Sequence, residues 1–294
     1  MKFSLLPFLQ LMRPANIVTA LADILAGAAI ALAWSVGEFS PQLGWLLLAT
    51  VGLYGGGVVF NDVFDADLDR EERPERPIPS GRISLSTAAV GGFLLLLLGV
   101  IAAAQVSALS ASIALVVASL AVGYDKFGKH HVFFGPLMMG MCRGGNLLLG
   151  MSIVGTAVTE YWFIALIPVV FIGDITLTSR GEVHGGVSAE LRLAVGLDIF
   201  VLVAFGILAL VTPFALLPAL PFLLLWASLN LRSKANALRL ATPQAVMRAV
   251  KMGVLSLIPL NATLAAGFLG WSAGLLVLLL LPLSLILARY FAVT

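Results

Sequence analysis

The sequence predicts an all-α fold: a polytopic membrane helical bundle of nine to ten transmembrane helices, with a central cavity under a cytoplasmic polar cap, built as one domain over residues 1–294. Three observations carry this. Charged residues make up 11% of the chain, against about 25% in a soluble globular domain. The mean hydropathy is +1.06, and long unbroken apolar runs such as Gly91–Ala104 and Gly274–Ala288 suit helices that cross a bilayer in about 20 residues rather than the short alternating strands of a barrel. The basic residues, finally, fall on one side of the spans.

Spans are expected at 15–35, 43–60, 84–104, 108–123, 133–154, 161–178, 191–211, 213–231, 248–268 and 271–289. Of the 17 Lys and Arg, Arg143 alone lies in the body of a span; Arg192, Arg248, Lys251 and Arg289 fall in the first or last turn of theirs, at the same end as the loop cations. Lys2 and Arg13 precede the first. Arg70, Arg73, Arg76 and Arg82 follow the second, Lys126 and Lys129 the fourth, and Arg180 and Arg192 the sixth. Arg232, Lys234, Arg239, Arg248 and Lys251 follow the eighth, and Arg289 ends the tenth. The intervening loops, at Ser35–Gln42, Gln105–Ser107, Gly155–Glu160, Thr212 and Gly270–Trp271, carry none. The positive-inside rule makes the basic side cytoplasmic, with both termini inside. A multi-pass protein of a bacterial inner membrane is expected. The stretch before Arg13 and Pro14 is a poor signal peptide, so the first helix is expected to be retained. The single cysteine, Cys142, excludes an intramolecular disulfide and reads as a small buried residue. No nucleic-acid partner is expected, and no feature names a protein partner.

The segment Asn61-Asp62-Val63-Phe64-Asp65-Ala66-Asp67-Leu68-Asp69-Arg70 follows the second span. Asp62, Asp65 and Asp69 are spaced i, i+3, i+7, so a continuing helix puts them on one face. Asn61 borders that face, and Asp67 points elsewhere. Three stacked carboxylates repel one another, and a hard divalent cation such as Mg²⁺, which bridges carboxylates to substrate phosphates, relieves the repulsion. The helix leading in is glycine-rich (Gly52, Gly55, Gly56, Gly57) and suits close packing. Arg76-Pro77-Ile78-Pro79-Ser80-Gly81-Arg82 then makes a fixed crossing. In it Arg76, together with Arg73 and Arg82, is placed for phosphate oxygens or for ordinary cytoplasmic charge.

The pattern Asn61-Asp62-x-x-Asp65-x-x-x-Asp69, followed by Arg76-Pro77-x-Pro79-Ser80-Gly81, resembles the first aspartate-rich motif of the UbiA superfamily of intramembrane prenyltransferases. Arg13-Pro14-x-Asn16 and Tyr124-x-Lys126 are similar to that family too, and the resemblance covers nearly the whole chain. It implies a UbiA-like fold, with Asp62, Asp65 and Asp69 as Mg²⁺ ligands and Asn61 as a polar neighbour. Lys126 would contact a diphosphate, and Asn16 would line the cavity. The implied partners are a polyprenyl diphosphate and a lipophilic acceptor within the lipid bilayer.

Ionisable residues inside spans point to function. Asp23 shares a stripe with Asn16 and Gly27 on the first span. Arg143 and Asn146 share one with Met139 and Gly150 on the fifth. Arg143 would neutralise Asp23, Asp174 or a ligand diphosphate. Asp198 and Asn261 are weaker candidates. The family's second aspartate-rich motif is altered here: Asp174-Ile-Thr-Leu-Thr-Ser-Arg180-Gly-Glu182-Val-His184-Gly-Gly keeps only Asp174 and Glu182 as acids and adds Arg180 and His184. One metal with Arg180 and His184 is expected to hold the diphosphate, since guanidinium substitutes for a cation there. Ser179–Gly186 resembles the EboC-like branch, associated with moving or modifying metabolite precursors at the bacterial envelope. A carrier or non-catalytic role on the same fold is the alternative to transfer.

Overall fold

A computed structural model of the chain describes residues 5–35, 41–129, 131, 133–180 and 189–291. All regular structure among them is helical. Helix α1 (Leu5–Met12) meets α2 (Pro14–Ser35) at Arg13, which has a left-handed φ of 48°. The residue before a proline is kept out of the right-handed helical region, so the chain turns there and aims Arg13 at the following helix pair. Helix α3 (Gln42–Phe64) is separated from α4 (Ala66–Glu72) only by Asp65. The Asp65 amide still donates to Asn61 O at 3.0 Å, and the Asp69 amide to Asp65 O at 2.8 Å. The helical path therefore continues, and the i, i+3, i+7 spacing survives the break.

Helices α5 (Leu85–Ala104) and α6 (Ala108–Gly123) open on serine caps: Ser84 Oγ accepts from the Thr87 amide at 3.1 Å, and Ser107 Oγ from the Ser110 amide at 3.0 Å. After α6 the chain makes a π-helical turn, Tyr124–Gly128, closed by the Lys129 amide on Tyr124 O at 2.8 Å. Helix α7 (Phe134–Met151) is followed by α8 (Gly155–Tyr161), a 3-10 turn at Trp162–Ala165 and α9 (Leu166–Ser179). Helices α10 (Ala189–Val211), α11 (Leu216–Leu240), α12 (Pro243–Leu269), α13 (Trp271–Leu278) and α14 (Leu280–Leu287) complete the bundle. Large apolar side chains such as Leu94, Ile199, Leu210 and Leu217 are exposed outward, as lipid-facing surface requires, while Phe171, Phe205 and Trp226 fill the interior.

Among the described residues, eight helical segments are long and apolar enough to cross a membrane. The expected fifth span is the 18-residue α7, whose Arg143, Asn146 and glycines lower its apolarity. The expected tenth is split at Leu279 into two eight-residue helices. Two boundaries differ from expectation. The loop expected at Gly155–Glu160 is helical, as α8. Helices α11 and α12 reach well past the ends expected at 231 and 248, leaving only Ala241 and Thr242 between them. Ala241 takes a left-handed φ of 51°, and Thr242 Oγ1 caps α12 through the Ala245 amide at 3.3 Å ahead of Pro243. Lys234 is therefore a helical residue and not, as expected, a loop residue.

The two central helices touch backbone to backbone. A Cβ at Gly27 of α2 would lie 2.3 Å from Leu147 O, and one at Gly150 of α7 would lie 2.4 Å from Ile24 O. Only glycine permits this approach, and it brings the polar stripes of α2 and α7 into register.

Candidate active site

Helices α2, α3, α6, α7, α9 and α12 and the π turn enclose a cavity of about 370 Å³. One end is polar, with Arg13, Asn61, Arg73, Asp125 and Lys129; the remainder is largely apolar, with Leu53, Val117, Ile172, Val254 and Leu257. The cavity thus suits an amphiphile with an anionic head.

Asp62 and Asp65 sit behind the polar end, paired with Arg13 and Lys129, which line it. Asp62 and Asp69 are buried, and each meets a guanidinium. Arg13 Nη2 lies 2.8 Å from Asp62 Oδ1, and Arg76 Nη1 lies 2.7 Å from Asp69 Oδ2 and 3.4 Å from Asp62 Oδ1. Asp65 pairs with Lys129. Asn61 Nδ2 donates to Asp125 Oδ1 at 2.8 Å. Asp67 faces solvent beside Arg70, as the spacing predicted. Among the described residues no three His, Cys, Asp or Glu side chains are gathered as a metal-binding group. The donor set nevertheless suits a hard cation: a single cationic nitrogen, Arg76 Nη1, already bridges Asp62 and Asp69 and stands where a metal ion would share them.

Deeper in, Arg143 Nη1 is 2.8 Å from Asp23 Oδ2, and its Nη2 donates to Thr19 Oγ1 at 2.6 Å. Asn146 donates to the same Asp23 oxygen at 3.0 Å and to Ala20 O at 2.9 Å, and accepts from Thr50 at 2.7 Å. Asn261 of α12 supplies Asp23 Oδ1 at 2.7 Å. Arg143, Asn146 and Asn16 line the cavity, with the Arg143 guanidinium 5.0 Å from the Tyr54 ring centroid. Asp23 is fully buried behind them. It was expected to face ligand; instead its carboxylate fixes residues that line the cavity.

Two further expectations are corrected. Asp174 was expected to meet ligand. It is fully buried against Lys234, which also lies 2.7 Å from Asp198, and Asn230 donates to Asp198 at 2.5 Å. This cluster ties α9, α10 and α11 together; the residues of α9 that line the cavity are Ile172, Ile175, Thr176 and Ser179. Lys126 was expected to contact diphosphate. It lies outward, exposed, 5.0 Å from the Phe127 ring centroid. The wider π-helical turn shifts the register, so Lys129 is the lysine that reaches the mouth. Arg180 is exposed and donates to His131 O at 3.4 Å, beside the same mouth. Glu182 and His184 lie outside the described residues. Lys129, Lys234, Asp125 and the pairing role of Arg13 are not legible in the sequence, because each depends on a contact with a residue far along the chain.

An all-helical membrane bundle with ion-paired carboxylates over an apolar cavity is the architecture of an intramembrane enzyme acting on a lipid-tailed anion. The chain belongs to the UbiA prenyltransferase family, whose model matches residues 20–293, and it is an intramembrane prenyltransferase. It is 31% identical over 219 residues to the digeranylgeranylglyceryl phosphate synthase of Methanoregula boonei, covering 70% of this chain and 76% of that protein. It is 27% identical over 202 residues to the enzyme of that name in Sulfurisphaera tokodaii, covering 65% and 70%. Among solved structures, an apo UbiA homologue from Aeropyrum pernix K1 superposes with a TM-score of 0.70 at 16% identity, covering 90% of this chain and 98% of the other. A UbiA homologue from Archaeoglobus fulgidus bound to DMAPP and Mg²⁺ superposes with a TM-score of 0.65 at 14% identity, covering 92% and 98%.

Proposed function

We propose that this protein uses Mg²⁺ to transfer a polyprenyl group from a polyprenyl diphosphate to a lipophilic acceptor bound in the same cavity. The observation that carries this is the Arg76 nitrogen shared by Asp62 and Asp69, beside Arg13, which pairs with Asp62 and lines the polar end of the cavity. The relatives' substrates support the same class: DMAPP and Mg²⁺ in one fold neighbour, and the phosphate-bearing product named for the curated relatives.

Asp62, Asp65 and Asp69 would hold the metal, with Asn61 beside them, and Mg²⁺ would compensate the charge of the departing diphosphate. Lys129, Arg13, Arg73 and Arg76 bind phosphate oxygens. The isoprenoid chain lies among Leu53, Val117, Val254 and Leu257, which exclude the water that would otherwise capture the allylic centre. Arg143, fixed by Asp23, stands on the cavity wall with Asn16 and Asn146 as the polar contacts below the diphosphate. Arg180, from the rim, adds positive charge near the mouth.

Within the family, the Ser179–Gly186 segment supports the EboC-like branch. The one-sided basic residues support cytoplasmic termini, with the mouth facing the cytoplasm of a bacterial inner membrane. Purified protein given geranylgeranyl diphosphate, MgCl₂ and membrane lipid extract as the acceptor source is expected to release diphosphate and to form a prenylated lipid. Turnover that persists in EDTA, or none with any prenyl diphosphate, overturns the reading.

A further inference from the structure

Each of the three carboxylates on the shared face of the aspartate segment carries a cation from outside that segment: Arg13 and Arg76 on Asp62, Arg76 on Asp69, and Lys129 on Asp65. Three anions meet three cations, so the charges of the resting site already cancel. The side chains of Arg13 and Arg76 are each 16% exposed and those of Asp62 and Asp69 each 6%, so solvent screens these pairs weakly. A bare divalent ion that took Asp62 and Asp69 would turn out a guanidinium with no anion to receive it, and stranding a buried charge is strongly unfavourable. A diphosphate arriving with the ion supplies that anion, because guanidinium binds phosphate oxygens in the same forked geometry as carboxylate oxygens.

We propose that Arg76 and Arg13 are exchange partners. They hold Asp62 and Asp69 in the resting site and pass to the diphosphate as the metal takes the carboxylates. Cation and diphosphate then bind as a unit, and neither binds well alone. By linkage each raises the affinity for the other by the same factor. The chain thereby selects a charged diphosphate head over a bare cation. The proposal rests on the Mg²⁺–diphosphate reading of this site.

The test is calorimetric titration of the purified full chain in detergent, with MgCl₂ alone and with preformed magnesium pyrophosphate. Wild type is expected to bind the preformed complex at least about tenfold more tightly than Mg²⁺ alone. Arg76→Gln is expected to move the two affinities in opposite directions: Mg²⁺ alone binds about tenfold more tightly, and magnesium pyrophosphate about tenfold more weakly. A merely structural arginine would weaken both. Arg13→Gln is expected to shift both in the same senses, and it serves if Arg76→Gln does not fold. Mg²⁺ binding to wild type as tightly as the complex, or Arg76→Gln and Arg13→Gln each weakening both ligands, overturns the exchange while leaving the diphosphate site in place. No binding of magnesium pyrophosphate by wild type overturns the site reading itself.

Discussion

Arg143 of α7 and Asp23 of α2 form a buried ion pair, Nη1 to Oδ2 at 2.8 Å, between two helices whose backbones touch at Gly27 and Gly150. The pair joins distant parts of the chain and sets the cavity wall, because Asn146 and Asn261 also converge on Asp23. Arg143→Met leaves the Asp23 carboxylate buried without its counter-charge. It is expected to cost about 3–5 kcal/mol, the usual penalty for breaking a buried pair on one side, read as a lower Tm in detergent. Asp23→Asn/Arg143→Met should recover part of that loss. A double variant no more stable than Arg143→Met contradicts the pairing.

The contact at Gly27 is equally specific. Gly27→Ala places a methyl against the Leu147 carbonyl and forces α2 and α7 apart, for an expected cost of about 1–3 kcal/mol. Gly196→Ala, where nothing approaches within 4 Å, should leave stability within about 0.5 kcal/mol of wild type, with Tm nearly unchanged. Equal Tm values for the two variants would remove the close-approach argument.

Lys234 neutralises two aspartates at once. Lys234→Met leaves Asp174 and Asp198 facing each other in the interior and is expected to be far more damaging than Asp174→Asn, which removes one of two negative charges around a single positive one. Comparison of the two Tm values checks this, and equal losses would contradict it.

The two lysines of the α6–α7 connection separate by register. Lys129→Ala should raise KM for the prenyl diphosphate about tenfold or more, the value of one charge-assisted hydrogen bond. Lys126→Ala should change it less than about twofold, because Lys126 lies outward over Phe127. The reverse ranking would show that the π-helical turn does not set which lysine enters the site.

What was legible in the sequence is what local spacing controls. The aspartates fall on one face because a helix repeats every 3.6 residues, and a one-residue break at Asp65 leaves that path intact. Arg143 stood out because a charge inside a span needs a partner, and Asp23 was among those expected. Partners of the aspartates were not legible, since Arg13 lies 49 residues from Asp62 and Lys129 lies 64 from Asp65. The resemblance of Tyr124-x-Lys126 to the family points to Lys126 rather than Lys129, and nothing in an alternation of residue types announces the π-helical turn that leaves Lys126 outside. Asp174 reads from the sequence as the remnant of a ligand site because Lys234, 60 residues on, lies past the end expected for the eighth span; the continuation of α11 to Leu240 buries it.

Mg²⁺-dependent release of diphosphate from geranylgeranyl diphosphate, measured for wild type, Asp62→Asn, Asp69→Asn and Asp67→Asn, tests the central claim most directly. Asp62→Asn and Asp69→Asn are each expected to lose about 100-fold or more in kcat/KM, while Asp67→Asn, on the solvent side of the same helical turn, stays within about twofold. Asp67→Asn as damaging as the other two, or all three as active as wild type, would contradict that claim.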